Sequence, residues 1–317
     1  MNLVESNKLR CYRVYGLNIK SEIEIKEFIE VDNLSNEDID INYLYGEMPD
    51  KFKMLRKSGE TGYFNYDEVW FDIKGVASYY ISNGNKVIIE RYDNSNNEMI
   101  NIFLMCSCLG FIMIQRNKLA IHGSAVVVNN KAIVLTGGRG AGKSTLSTAL
   151  RLKGYKFLAD DVAAITLGDK INIEYGFPYQ KLCEDTAINL GYDVNEYISF
   201  ISNTEEKYIV PAYDEFVYKA KELGAIFEII SDSYVSEVII EEIKGNEKLN
   251  KIIKNIYRAE FLPYMGGITP SCLKKCIEIS KQIKFYKIIR PKDKFTVDEQ
   301  VKALEEILIN DEYKILI

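Results

Sequence analysis

The sequence predicts an α/β protein in two parts: a phosphate-loop domain over residues 117–317, preceded by a smaller strand-rich α+β domain over residues 1–116. Three observations carry that prediction. The apolar run KAIVL leads straight into TGGRGAGKST (Thr136–Thr145), and a helical pattern follows. Short β-branched and aromatic runs dominate Cys11–Ser95. A long apolar run, Ile102–Ile114, lies between the two. With 317 residues, 47% hydrophobic and 27% charged, the chain can bury two ordinary cores.

In chain order, VWFDI, ASYYIS and KVIIERY read as strands, with Asn83-Gly84-Asn85 as the hairpin turn between the last two. A helix is expected over Glu98–Gln115. Its apolar stretch of 13 residues is shorter than the roughly 20 a spanning helix needs, so it reads as a buried core helix. Two strands joined by Asn129-Asn130 come next, the second entering the glycine loop. In the helix that the loop opens, Leu146, Ala149 and Leu150 share a face and Gly154 supplies the stop. YKFLADDVAAITL (Tyr155–Leu167) is expected as one strand carrying Asp160 and Asp161. Strands are expected in INIEYGFPYQKL, IVPAYDEF, AIFEII and EVIIEEI. Helices are expected in Lys248–Phe261 and Ser271–Ile283. FYKIIRP is a late strand, and VDEQVKALEEILI closes the chain as an amphipathic helix with Val301, Leu304 and Ile307 inward.

A net charge of −6 argues against a nucleic-acid or anionic-membrane partner. No apolar run follows Met1, so no secretory signal is expected. Six scattered cysteines and one histidine, His122, supply no zinc-ligand pattern. Reduced thiols in a cytoplasmic protein are the expectation.

The loop matches G-x-x-x-x-G-K-[ST] in full, between a strand and a helix as that motif requires. Residues Gly137, Gly138, Arg139, Gly140, Ala141, Gly142, Lys143, Ser144 and Thr145 are therefore the candidate nucleotide site. Their backbone N–H groups form an anion-binding nest, and the helix N-terminus adds about half a positive charge. Lys143 is expected to reach the β- and γ-phosphates of ATP, and Ser144 to offer its hydroxyl to Mg²⁺. Downstream, two neighbouring carboxylates can divide labour. One of Asp160 and Asp161 can hold Mg²⁺, directly or through water, while the other takes a proton from an attacking hydroxyl. An acidic pair is often only a solvated turn; its place between FLA and VAAI beside a phosphate loop favours the site. His122 opens the strand expected to pair beside the loop's own strand, which places it near the transferring group.

HGSAVVVNNKAIVLTGGRGAGKST followed by GYKFLADDV resembles the catalytic domain of HPr kinase/phosphorylase and its stand-alone relatives. GFPYQKL, LGAIFEI, IYRAEF, FYKIIRPKD and the opening YRVYGLNIKSEIEI are similar to the stand-alone proteins, so the resemblance spans most of the chain. The stretch His122–Asp161 is its specific part. The resemblance implies a fold akin to phosphoenolpyruvate carboxykinase, with ATP and Mg²⁺ as cofactors. It further implies Lys143 as phosphate ligand, Ser144 as metal ligand, Asp161 as general base with Asp160 beside it, and His122 as an active-site histidine.

Two features depart from that family. No arginine occurs between Arg151 and Arg258, where the family has a catalytic one, and only Glu184 and Asp185 lie near its downstream metal-binding glutamate. The resemblance therefore does not carry HPr as the acceptor, nor phosphorolysis. Lys181, Lys207 and Arg258 are the candidate cations on the substrate side. The expected acceptor is a serine-type hydroxyl of a peptide or protein, with a small hydroxylated metabolite as the alternative. A phosphate-loop ATPase or switch is the third reading, for which VIIEEI (Val238–Ile243) offers a strand ending in acids. Oligomeric state, a homo-oligomer included, is left open.

Overall fold

Short runs of β-branched and aromatic residues, several with alternating burial, build the first sheet of the protein. The computed structural model describes residues 9–32, 34–202 and 205–313. Contacts divide it into two units, one of the residues up to Leu119 with Tyr257–Leu273, the other of Ala120–Ile256 with the residues from Lys274 on.

In the first unit, strands β1 (Arg10–Val14), β2 (Leu17–Ser21), β3 (Ile29–Glu30), β4 (Ile41–Tyr45), β5 (Gly62–Phe64), β6 (Glu68–Ile73), β7 (Ala77–Ser82) and β8 (Lys86–Arg91) form one sheet. Its order is β3-β1-β2-β4-β8-β7-β6-β5. Helix α1 (Asp50–Lys57) buries Phe52 against Trp70, the rings stacked with centroids 5.6 Å apart. The expected core helix runs from Asn97 to Gln115 as α2 (Asn97–Phe103), a π-helical turn (Leu104–Cys108) and α3 (Leu109–Gln115). By length and composition this 19-residue helix could cross a membrane, unlike the shorter run read from the sequence, but 61% of its most apolar window is buried inside the protein. Buried Tyr79 and Tyr43 donate to the carbonyls of Ile100 (3.3 Å) and Leu104 (3.5 Å), tying it to the sheet.

The second unit is built on β9 (Ala120–Val128), β10 (Lys131–Gly137), β11 (Lys156–Ala159), β12 (Val162–Leu167), β13 (Ile171–Ile173), β17 (Lys221–Asp232), β18 (Ile239–Ile243) and β19 (Lys284–Pro291). A smaller sheet, β14 (Tyr179–Cys183), β15 (Ile198–Ser202) and β16 (Glu205–Pro211), has the order β14-β16-β15. The loop strand β10 pairs antiparallel with β9 on one side and parallel with β17 on the other, and β19 lies beyond β17. Helix α4 (Lys143–Leu152) follows the loop, and α5 (Glu184–Asn189) follows β14. Three more helices complete the chain: α6 (Gly245–Lys254), α7 (Pro270–Gln282) and α8 (Val297–Tyr313). Leu146, Ala149 and Leu150 of α4 pack with Val301 and Leu304 of α8 against Ile133, Leu135, Phe227 and Ile229. The inward faces expected for α4 and α8 form this core.

Three expectations are corrected. Tyr155–Leu167 is two strands: β11 and β12 both pair with β9, and the chain kinks between them at Asp161, whose φ is +65°. The helix expected over Lys248–Phe261 runs instead over Gly245–Lys254, and after Arg258, at φ +61°, a 3-10 segment, Ala259–Met265, follows. A single cut near residue 117 does not describe the units, since Tyr257–Leu273 belongs with the first. Strand β18 is an edge strand on β19, separated from β10 by β19 and β17, with Glu241 3.7 Å from Lys287 and Glu242 3.0 Å from Lys244.

Candidate active site at the phosphate loop

Backbone geometry explains the loop's glycines. Gly137 ends β10 at φ +141°, and a Cβ there would lie 2.4 Å from the Ile229 carbonyl oxygen of β17, closer than any side chain can sit. Gly142 is left-handed at φ +108° and starts α4, its carbonyl accepting from Leu146 N–H at 2.9 Å. Gly138, Arg139 and Gly140 are exposed at the loop crest, and Ala141 is buried beneath them. Lys143 donates from Nζ to the carbonyls of Gly137 (3.0 Å) and Gly138 (3.1 Å), so its ammonium lies along the loop. Burial lowers its pKa; Asp161 and Asp160 oppose that shift, and Lys207 adds to it. The Ser144 carbonyl accepts from Thr148 Oγ1 (2.7 Å), and among the described residues nothing hydrogen-bonds its hydroxyl. Thr145 Oγ1 lies 3.1 Å from Thr186 Oγ1 of α5.

The two acids have different surroundings. Asp160 is buried, 4% exposed, with both carboxylate oxygens bonded: Oδ1 accepts from Ser124 Oγ (2.7 Å) and Oδ2 from Lys181 N–H (2.9 Å). It therefore holds β14 against β9 and β11. Asp161 is 30% exposed at the kink. Its Oδ2 lies 3.1 Å from Lys181 Nζ, and its Oδ1 lies 3.5 Å from His122 Nδ1. Burial alone would raise its pKa. Lys181 first, then His122 and Lys207, outweigh burial and hold the carboxyl well below the usual range.

The neighbouring elements make this arrangement rigid. Register places Lys181 opposite Ile209 and Lys207 opposite Cys183, so both lysines leave the same face of the small sheet. On the other face, Gln180 is clamped to α4: its Nε2 donates to Ser147 Oγ (3.0 Å) and its Oε1 accepts from Arg151 Nε (2.8 Å). Both sides of His122's peptide unit are also held. Its N–H donates to the Asn255 carbonyl (2.8 Å), and its carbonyl accepts from Thr136 Oγ1 (2.7 Å). Asn255 in turn donates from Nδ2 to buried Glu228 (3.2 Å), which Lys251 neutralises at 2.7 Å.

The second unit thus gathers Lys143, Asp160, Asp161, His122, Lys181 and Lys207 around the loop. Arg258 belongs to the first unit, where its Nη2 donates to Ser107 Oγ at 3.0 Å. Glu184 and Asp185 form the first turn of α5. Sequence reasoning missed Arg290 at the end of β19. Its Nε donates to the Ala141 carbonyl (2.9 Å) and its Nη2 to the Gly140 carbonyl (3.3 Å), so it braces the loop from below. FYKIIRP shows only that an arginine ends a strand; which strand lies next to β17 is decided by the sheet order. Among the described residues no group of three or more His, Cys, Asp or Glu gathers as a metal cage. None of the six cysteines is in a disulfide.

No protein-family model matches this chain, and no curated protein does. Among solved structures, the Hpr(Ser) kinase/phosphatase from Coxiella burnetii aligns with 14% identity over 62% of this chain and 97% of its own, with a TM-score of 0.32. That likeness is distant.

Proposed function

We propose that this protein is an ATP-dependent phosphotransferase that moves the γ-phosphate to an alcohol, a serine-type hydroxyl of a peptide or protein above all. The observation that carries the reading is the position of Asp161: a partly exposed carboxylate between Lys181 and His122, in electrostatic contact with the loop lysine Lys143. Its left-handed backbone, φ +65°, sits at the break between β11 and β12, so the carboxylate belongs to neither strand's regular face.

Phosphoryl transfer passes through a loose transition state in which the protein chiefly positions groups and neutralises charge. Lys143, the loop N–H groups and the N-terminus of α4 hold the polyphosphate. Ser144, with its unclaimed hydroxyl, fits a magnesium ion kept otherwise by phosphate oxygens and water, which would neutralise charge between the β- and γ-phosphates. Asp161 is ionised at neutral pH and accepts the acceptor's hydroxyl hydrogen bond. Its low pKa makes it a weak base, which suits a reaction that needs the hydroxyl oriented more than fully deprotonated. Lys181 and Lys207 supply the positive charge that an arginine supplies in the family this sequence resembles. Asp160, buried beneath them, positions Asp161 and Lys181. A small hydroxylated metabolite would use the same groups, so the acceptor is decided by assay.

The test is incubation with γ-labelled ATP and Mg²⁺ against free serine, an HPr-like protein and serine-containing peptides. Label on a hydroxyl, lost in Asp161→Asn with nucleotide binding retained, is the expected result. Hydrolysis with no labelled acceptor in any pool would move the assignment to an ATPase or switch.

A further inference from the structure

The small sheet beside Asp161 has two unlike faces. Along β14 every second residue is buried: Gln180 and Leu182 point inward, while Tyr179, Lys181 and Cys183 are half-exposed. Leu182 packs with Ala187, Tyr208 and Val210 in a core of its own, which fixes the inner face. Register continues the outer face onto β16, where Pro211, Ile209 and Lys207 stand opposite Tyr179, Lys181 and Cys183. Lys181 is the middle of this face, and its ammonium lies 3.1 Å from Asp161. A hydroxyl held by Asp161 therefore lies over that middle, with a different chemistry at each end.

One end is cationic. Lys181 is neutralised by Asp161, whereas Lys207 has no ion-pair or hydrogen-bond partner among the described residues. Half-buried, its ammonium loses part of its hydration with no compensating contact. Lys207 is the diagonal neighbour of Lys181 across the paired strands, a step of about 7–8 Å. The other end is aromatic. Tyr179 and Tyr213 meet hydroxyl to hydroxyl, their rings edge to face with centroids 5.3 Å apart, and Tyr213 is 50% exposed. Further along the chain Tyr218, 54% exposed, packs on Phe216. Exposed tyrosine rings offer a large apolar contact with a polar tip, a combination suited to binding another chain.

We propose that the outer face of the small sheet is the acceptor-docking surface, and that the acceptor is an extended peptide segment with an acidic side chain on one side of its serine and an aromatic one on the other. Residues two apart in an extended chain share a face and stand about 6.6 Å apart, which matches the steps from Lys181 to Tyr179 and to Lys207. The carboxylate pairs with Lys207, the aromatic ring packs on Tyr179 and Tyr213, and the hydroxyl between them meets Asp161. A free amino acid is too short to reach both ends. The inference rests on the phosphotransferase reading, with Asp161 as the group that receives the hydroxyl.

Its test uses short serine peptides in an alanine background. They carry Glu, Lys or Ala two places from the serine on one side and Phe or Ala two places away on the other, in both chain directions. Values of kcat/KM for transfer from γ-labelled ATP are compared across the peptides and with free serine. The peptide with Glu and Phe is expected to exceed the all-alanine peptide about tenfold or more in one chain direction. Lys207→Glu is expected to reverse the order of the Glu and Lys peptides, whatever its absolute rate. Tyr213→Ala, at an exposed position, is expected to erase the advantage of Phe and keep that of Glu. Equal rates across the peptides would overturn the proposal, as would free serine outrunning all of them. So would a Lys207→Glu enzyme slowed alike on every peptide, which would place Lys207 on the transferring phosphate. No transfer to any acceptor would instead overturn the phosphotransferase reading beneath it.

Discussion

Replacing Lys181 by glutamine removes the strongest attraction on Asp161 and leaves the burial that opposes it. The two charges are 3.1 Å apart. Because the carboxylate is 30% exposed, an effective dielectric constant of about 40–80 is appropriate. At that separation the attraction is about 1.3–2.7 kcal/mol, or about 1–2 pKa units. The direction follows from ionisation. Asp161's folded pKa is depressed, so whatever depends on its charge is present at neutral pH and is lost only as the pH falls through that low value. In the wild type this acid limb therefore lies below the ordinary aspartate value of about 3.9. In Lys181→Gln it should rise by about 1–2 units, and in Lys181→Arg, which keeps the charge, it should stay near the wild-type position. The assay is kcat/KM for phosphate transfer between about pH 2 and 8, with stability to urea measured over the same range to separate unfolding from titration. A Lys181→Gln enzyme that is slower at every pH with an unmoved acid limb would refute the argument, because Lys181 would then act on phosphate or acceptor and not through Asp161.

Further outcomes can be checked directly. Lys143→Ala should abolish transfer and weaken nucleotide binding; turnover at the normal rate would end the kinase assignment. Asp161→Asn, which tolerates the left-handed backbone as aspartate does, should bind nucleotide normally and lose about 10²–10⁴-fold in kcat. Asp160→Asn trades one acceptor oxygen for an amide and leaves Ser124 or the Lys181 N–H unmatched. It should cost about 1–3 kcal/mol and lower the melting temperature by about 2–4 °C for each kcal/mol, as scanning calorimetry would show. Gly123→Ala brings a Cβ to 2.3 Å from the Leu135 carbonyl oxygen, so β9 must shift on β10 next to His122. Stability should fall by about 1–3 kcal/mol, read from the urea midpoint.

Covalent spacing made much of the site legible in advance. Gly137 to Thr145 could be read as a loop between a strand and a helix because each residue's part there is local: a positive φ or a lysine at the start of a helix. The amphipathic faces of α4 and α8 were readable for the same reason, since a period of 3.6 residues is a property of the chain alone. Lys181 could be singled out only as a cation in an ordered loop. Its pairing with Asp161 depends on β14 being held by Asp160 and Gln180, two contacts between residues far apart in sequence. The same dependence explains the single strand expected over Tyr155–Leu167. Apolar residues flank Asp160 and Asp161 on both sides, and the break appears only because β9 takes β11 and β12 as separate partners.

By itself, then, the sequence determined that a glycine-rich loop sits between a strand and a helix with an acid pair downstream. Those features are set by neighbouring residues and survive any packing of the rest. The tertiary structure decided which acid is buried for support and which is exposed between Lys181 and His122. It also brought Arg290 and Gln300 to a cleft beside Gly142 from about 150 residues away. Sheet order and register bring such residues together, and neither is written in local spacing.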